Sequence, residues 1–203
     1  MSVLAVSASQ LLAGSGINAT FVVLSSQGSN GTSNGTFYGE NFGLNTPFNG
    51  LNLGTFDTST SDYLTLKGGE VNTFKDTNVG DDIFGTTGFY IILPSGSSTP
   101  ASNSFSSFNI GFNSNTGGGG GFVDQKWQET GLNVNLLSGL NAGNYDFYAY
   151  NTVTANFGTM TDSGPTSGYY KATFTVVPEP SSIALLMSSM AFGTMFLMRR
   201  RTA

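Results

Sequence analysis

A chain of 203 residues with 9 % charged side chains and neither cysteine nor histidine has length for a sizeable core but lacks the groups most enzymes use. Without histidine there is no Ser-His-Asp triad, imidazole base or ordinary zinc site; without cysteine there are no thiol nucleophiles, thiolate ligands or disulfides. Ahead of the C-terminal tail the chain carries eleven acids against four lysines, a formal −7, so it has no basic stripe for nucleic acid.

Met1–Ala8 is small and apolar, and Val6-Ser7-Ala8 fits the small-residue rule for signal-peptide cleavage. No basic residue precedes it, so residues 1–8 read as the remnant of a longer signal peptide whose start lies upstream; an ordinary apolar segment is the alternative. Residues 9–176 read as one all-β domain. Thr20–Ser25 is its first expected strand. Asn30-Gly31 and Asn34-Gly35 are expected type I′ turns. Asn18, Asn30 and Asn34 begin N-x-T triplets and read as turn asparagines, not glycan sites.

Tyr63–Leu66 is an expected strand, Lys67-Gly68-Gly69 its turn and Val71–Lys75 the return strand. Asp76–Asp82 is a polar, acid-rich loop. Phe89–Leu93 is continuously apolar, which predicts a central strand buried on both sides or lying at the core centre. Phe108, Ile110 and Phe112 recur at period two, predicting one half-buried strand over 105–112. Asn113–Gly121 then reads as a flexible loop; it lacks the Lys-Ser/Thr ending of a phosphate loop. Alternation resumes at Leu132, Val134 and Leu136, and again over Tyr145–Val153. The last strand sets Tyr170, Ala172, Phe174 and Val176 on one face and Lys171, Thr173 and Thr175 on the other. Short strands with turn signals between them predict a β-sandwich, immunoglobulin-like or jelly-roll-like.

Three groups in this domain could carry chemistry. Asp76, Asn78, Asp81 and Asp82 could offer oxygen ligands to calcium, but Asp81 stands where an EF-hand loop needs glycine and Thr87 where it needs glutamate. A solvated turn is the alternative. Tyr148 and Tyr150 share a face about 6.8 Å apart along a strand, a spacing suited to stacking on successive sugar rings, with Trp127 as a third member. The alternative is that they cover the outer face of the sandwich or pack beneath a loop. Asp124, Glu129 and Asp146 are the acids open to a glycosidase pair about 5 to 10 Å apart, but no spacing singles two of them out.

The tail, residues 177–203, has three ordered parts. Val177-Pro178-Glu179-Pro180 comes first, and its prolines hold Val177 and Glu179 extended, so a strand cannot pair through it nor a helix start before Pro180. Ser181–Met198 follows, 18 residues without a charge; as a helix it would be about 27 Å long, enough to span a thin hydrocarbon core. Arg199, Arg200 and Arg201 then act as a basic stop, which predicts a cytoplasmic tail end and a body outside the cytoplasm. Together these parts resemble the PEP-CTERM sorting domain. A plain C-terminal anchor and a buried core helix are the alternatives. The stretches LNLGTF, LTLKGGEVNTFK and GLNAGNYDFYAY also look like those of other sorted, exported bacterial β-proteins.

The resemblance implies an exported protein, held transiently in the inner membrane and cut near Pro178-Glu179-Pro180 by an exosortase-like enzyme. It would then be released or attached at the cell surface, alongside exopolysaccharide or biofilm matrix. The expectation is a non-enzymatic structural or adhesive role without a cofactor. Extracellular polysaccharide is the further candidate partner, a carbohydrate-binding module the second reading and a carboxylate-based glycosidase the third.

Overall fold

The computed structural model describes residues 14–28, 32–39, 47–162 and 169–177. The expected signal-peptide remnant, the Asn30-Gly31 turn, Pro178-Glu179-Pro180, the membrane helix 181–198 and Arg199–Arg201 lie outside the described residues. Among the described residues no helix is long and apolar enough to cross a membrane.

The fold is all-β. In chain order its strands are β1 (Gly16–Gln27), β2 (Thr32–Gly39), β3 (Asn52–Asp57), β4 (Tyr63–Asp76), β5 (Ile83–Pro94), β6 (Ser106–Ile110), β7 (Phe112–Gly119), β8 (Phe122–Glu129), β9 (Val134–Asn135), β10 (Gly143–Ala155), β11 (Gly158–Asp162) and β12 (Tyr170–Val177). The first sheet runs β2-β1-β4-β8-β7 with β9 also on β4; the second runs β3-β12-β10-β5-β6 with β11 also on β10. These pairs are antiparallel except β3 with β12, which is parallel. The chain passes repeatedly from one sheet to the other, so most contacts in the core join residues far apart in sequence.

The apolar faces of the two sheets share one core. Val22, Leu24, Leu64 and Leu66 come from the first sheet, and Phe147, Ala149, Phe174 and Val176 from the second. Phe48, from the connection before β3, meets Phe147 edge-to-face at 5.4 Å. A smaller cluster of Val71, Ile83, Ile110, Trp127, Val153 and Ala155 fills the other end. The alternation expected of the last strand holds along β12: Tyr170, Ala172, Phe174 and Val176 are buried, and the residues between them are half-buried.

Several expectations are corrected. Lys67-Gly68-Gly69 is no turn: β4 runs straight through it. Val23 pairs with Gly68 and Leu24 with Leu66, so Lys67 is the extra residue of a bulge. The glycine is needed there: Gly68 has φ +139°, and a Cβ on it would lie 2.1 Å from the carbonyl oxygen of Glu129. Asn34-Gly35 likewise falls inside β2, where the pairing with β1 slips between Leu24 and Ser26. Asn18 sits in β1 at another slip, between Ile17 and Ala19. In each case residues typical of turns bend a strand that neighbouring strands hold on course.

Residues 105–112 are not one strand. The chain breaks at Gly111, sending β6 to the second sheet and β7 to the first. Ile110 is buried and Phe108 half-buried, but Phe112 is 52 % exposed. Asn113–Gly121 is correspondingly not a loop. β7 occupies most of it, and Gly120 and Gly121, with φ of +61° and +93°, form the two-residue turn into β8. Phe89–Leu93 lies within β5 but is half-buried throughout. In the same sheet β10 is buried on both faces, its residues Tyr145 to Asn151 all being buried.

Candidate functional site

Val177, the first residue of the sorting motif, ends β12 and pairs in parallel with Asp57 of β3. The strand therefore runs to the residue before Pro178, the residue at which proline stops strand pairing. No described loop separates the folded body from the motif.

Tyr148 and Tyr150 share the outward face of β10, as their alternation requires, yet both are buried. Neighbouring strands and the segment before β12 supply the cover. Phe89, directly across on β5, stacks on Tyr150 at 4.5 Å with the rings 5° from parallel. Phe105 meets the same ring edge-on at 5.0 Å, and Tyr169 lies tilted against it at 5.1 Å. This burial pushes the Tyr150 phenol above the ordinary tyrosine range, with Tyr169 adding to the effect. Tyr148 donates to Asp146 Oδ2 at 3.4 Å, and the Lys171 ammonium stands 5.9 Å from the centre of its ring. Burial raises its phenol too, helped by the Asp146 charge and opposed by Lys171.

Trp127 belongs to the first sheet, on the inward face of β8, and is buried against Phe112 with its Nε1–H donated to Thr73 Oγ1 at 3.2 Å. The three rings named for glycan stacking are thus on two different sheets, all covered. They form no common exposed platform. The two tyrosines instead follow the alternative reading, covering the outer face of the second sheet. Phe89, Phe105 and Tyr169 complete that aromatic cluster, and nothing local in the sequence announced them as partners.

The acid-rich loop between β4 and β5 spends its oxygens internally. Asp76 Oδ1 accepts from the backbone N–H of Asn78 at 2.9 Å. Asp81 Oδ2 accepts from Ser15 Oγ at 2.6 Å, and Asp82 Oδ1 from Lys75 Nζ at 2.7 Å. The Asn78 side-chain N–H donates to the Gly120 carbonyl, tying the loop to the β7–β8 turn. The Lys75 hydrogen bond holds the Asp82 carboxyl below the usual range. Among the described residues no three acidic side chains converge as metal ligands would.

Asp124 and Glu129 lie on β8 of the first sheet, and Asp146 on β10 of the second. Asp146 is 5 % exposed, accepts from Ser95 Oγ at 2.7 Å and pairs with Lys171 at 3.3 Å. Glu129 closes its own turn by accepting from the Gly131 N–H at 2.6 Å. These bonds serve structure, and the sheets do not bring the three acids to one cleft.

Sequence reasoning passed over the outer face of the first sheet. There Glu70, 8 % exposed, is held by Lys126 Nζ at 2.8 Å, Gln128 Nε2 at 2.7 Å and Asn72 Nδ2 at 3.0 Å. The four residues lie on β4 and β8, whose register sets Glu70 opposite Gln128 and Asn72 opposite Lys126. Between the sheets a narrow gap is lined by Leu66, Tyr90, Phe108 and Phe147, with Asn151 as a polar member and no carboxylate or lysine. It offers shape without chemistry. No family model, curated protein or solved structure matches this chain.

Proposed function

We propose that the chain is an exported cell-surface or extracellular matrix protein, sorted through its PEP-CTERM-like tail and cut by an exosortase-like enzyme near Pro178-Glu179-Pro180. The tail carries this reading, with its motif, 18-residue uncharged run and triple arginine in order and at workable spacing. Supporting it is β12, which runs as far as Val177, the residue next to Pro178 in the chain. Two sheets sharing a core support the finer reading of the body as a β-sandwich, immunoglobulin-like or jelly-roll-like, followed by one membrane helix over 181–198. The role proposed for the body is structural or adhesive and non-enzymatic, in an exopolysaccharide or biofilm setting. No observation favours the carbohydrate-binding or glycosidase reading over it.

Glu179→Gln tests the processing step, because it keeps size, both prolines and the backbone restriction while removing the charge. In the producing organism the wild-type chain should lose its tail, whereas Glu179→Gln and a Pro178→Ala/Pro180→Ala variant should keep it. Intact mass spectrometry reads the difference. A mature wild-type chain still ending in Arg199–Ala203 would leave only the plain anchor. A reporter inserted at Gly119 should be active outside the cytoplasm, and one fused after Ala203 inside it.

A further inference from the structure

We propose that the first sheet makes its own covalent cross-link, an amide between the side chains of Lys126 on β8 and Asn72 on β4, with Glu70 as the proton carrier. The inference does not depend on the sorting proposal.

Such a bond needs an amine, a carboxamide carbon for it to attack, and a base that can take and return protons. The outer face of β4 and β8 brings the three together. Asn72 stands directly opposite Lys126 in the strand register, and Glu70 is the next residue along that face of β4. Opposed side chains have Cβ atoms about 4.5 to 5.5 Å apart, so the flexible lysine stem can reach the carboxamide without moving either strand. Glu70 holds both reactants: Oε2 accepts from Lys126 Nζ at 2.8 Å, and Oε1 from Asn72 Nδ2 at 3.0 Å. These are the nitrogen that must lose protons and the nitrogen that must leave with them, both within reach for proton transfer. Glu70 is 8 % exposed, and Phe21 and Ala19 of β1 stand opposite Glu70 and Asn72 on the other side. Val71, Thr73 and Trp127, all buried, fill the inner face behind the site and keep the two strands in place. The Asp146–Lys171 pair makes a contrast: Asp146 accepts from the hydroxyls of Ser95 and Tyr148, which offer an amine no carbonyl carbon.

The step balances with these groups alone. Glu70 takes a proton from the Lys126 ammonium, and the freed amine attacks Asn72 Cγ. The Cγ–Nζ bond forms and the Cγ–Nδ2 bond breaks. Nζ gives up two protons in all, both carried by Glu70 to Nδ2, which leaves as ammonium. Glu70 is returned as a carboxylate, and no oxidant or other reactant is consumed. Gln128 also donates to Glu70 Oε2, at 2.7 Å, but it shares β8 with Lys126, so a bond to it would tie that strand only to itself. Asn72 is the target that joins two strands. In a chain without cysteine the bond would hold β4 to β8 as a disulfide would.

A tryptic map of the full-length chain, purified in detergent, reads the bond directly. Lys67, Lys75, Lys126 and Lys171 set the cuts in the body. In the wild-type chain the free peptide 68–75 should be lost. In its place 68–75 should appear joined to 76–171, uncut at Lys126 and lighter by one ammonia, about 17 Da. Lys126→Arg keeps a charge against Glu70, and Glu70→Gln keeps the shape without the base. Each should release 68–75 free at its ordinary mass, with an unchanged β-type circular dichroism spectrum. Free 68–75 from the folded wild-type chain would overturn the proposal, whether or not either variant folds. A loss of ammonia confined to 68–75 would mean that Asn72 had closed on its own backbone, and one confined to 76–171 that Gln128 was the target. Either result overturns the cross-link, and a joined species that survives Glu70→Gln overturns the part given to Glu70.

Discussion

β10 carries four aromatic residues in thirteen and β7 three glycines in eight, and the two strands end at opposite extremes of environment. β10 lies between β12 and β5 and is buried on both faces from Tyr145 to Asn151; β7 hangs from β8 alone and is exposed at seven of eight residues. On β10 the inward face packs into the core, while Phe89, Phe105 and Tyr169 close over the outward ring of Tyr150. On β7 the large side chain, Phe112, meets the Trp127 ring at 5.3 Å and is 52 % exposed. The difference teaches that place in the sheet sets how far a side chain is covered: the same ring is buried as Phe147 on β10 and 52 % exposed as Phe112 on β7.

The sharpest way to break the comparison is to truncate one ring in each strand. Phe147→Ala removes a fully buried ring in contact with Phe48 and should cost about 3 to 5 kcal/mol, read as a drop in the urea midpoint. Phe112→Ala should cost no more than about 1 kcal/mol, the worth of an aromatic pair at an exposed site. Equal losses would mean that β7 is packed as β10 is.

Glycine gives the next contrast. Gly68→Ala, at positive φ and against the Glu129 carbonyl, should destabilise by more than about 1 kcal/mol in the same titration. Gly119→Ala, with nothing within 4 Å of the added carbon, should stay within about 0.5 kcal/mol. A silent Gly68→Ala would deny the bulge its reason.

A smaller effect follows from the covered tyrosines. Burial holds the Tyr148 and Tyr150 phenols above the ordinary tyrosine range in the folded chain. As pH rises the unfolded chain therefore ionises first and binds fewer protons, so stability falls with pH. The contribution is intact below the ordinary tyrosine value and lost as pH climbs from there through the folded one. Tyr150→Phe should flatten that alkaline loss in thermal melts. Titration of Tyr150 at the ordinary value, followed by phenolate absorbance, would show its ring to be uncovered.

The smallest change expected is at Asp82. Its carboxyl is held low by Lys75, so the stabilisation is present above the ordinary carboxylate value and lost as pH falls through the folded one. Asp82 is half exposed, and water screens the pair. Lys75→Met should therefore change acid stability by only about a few tenths of a kcal/mol.

Legibility in the sequence was uneven along the chain. The all-β class, the faces of β12 and the position of the acid-rich loop were readable, because each rests on a short period or on a run of polar residues. Gly68 and Asn34-Gly35 misled for a common reason. The residues that turn a hairpin are also those that permit a bulge, and only neighbouring strands decide which occurs. Phe108, Ile110 and Phe112 misled differently: period two continues unbroken in sequence while Gly111 carries the chain from one sheet to the other. Of the candidate site residues, the alternation of Tyr148 and Tyr150 was correct. Their cover was not visible, since Phe89, Phe105 and Tyr169 come from three separate stretches.

By itself, then, the sequence determined what depends on near neighbours along the chain: strand type, the alternation that sorts side chains between two faces, and the order of motif, apolar run and arginines in the tail. Tertiary structure alone decided which face meets the core, which strand lies at a centre or an edge, and whether an outward tyrosine is bare or covered. The physical reason is that strand pairing is non-local. A hydrogen-bonded neighbour such as β5 beside β10 is separated from it by β6 to β9, and no local pattern encodes which strand will come alongside.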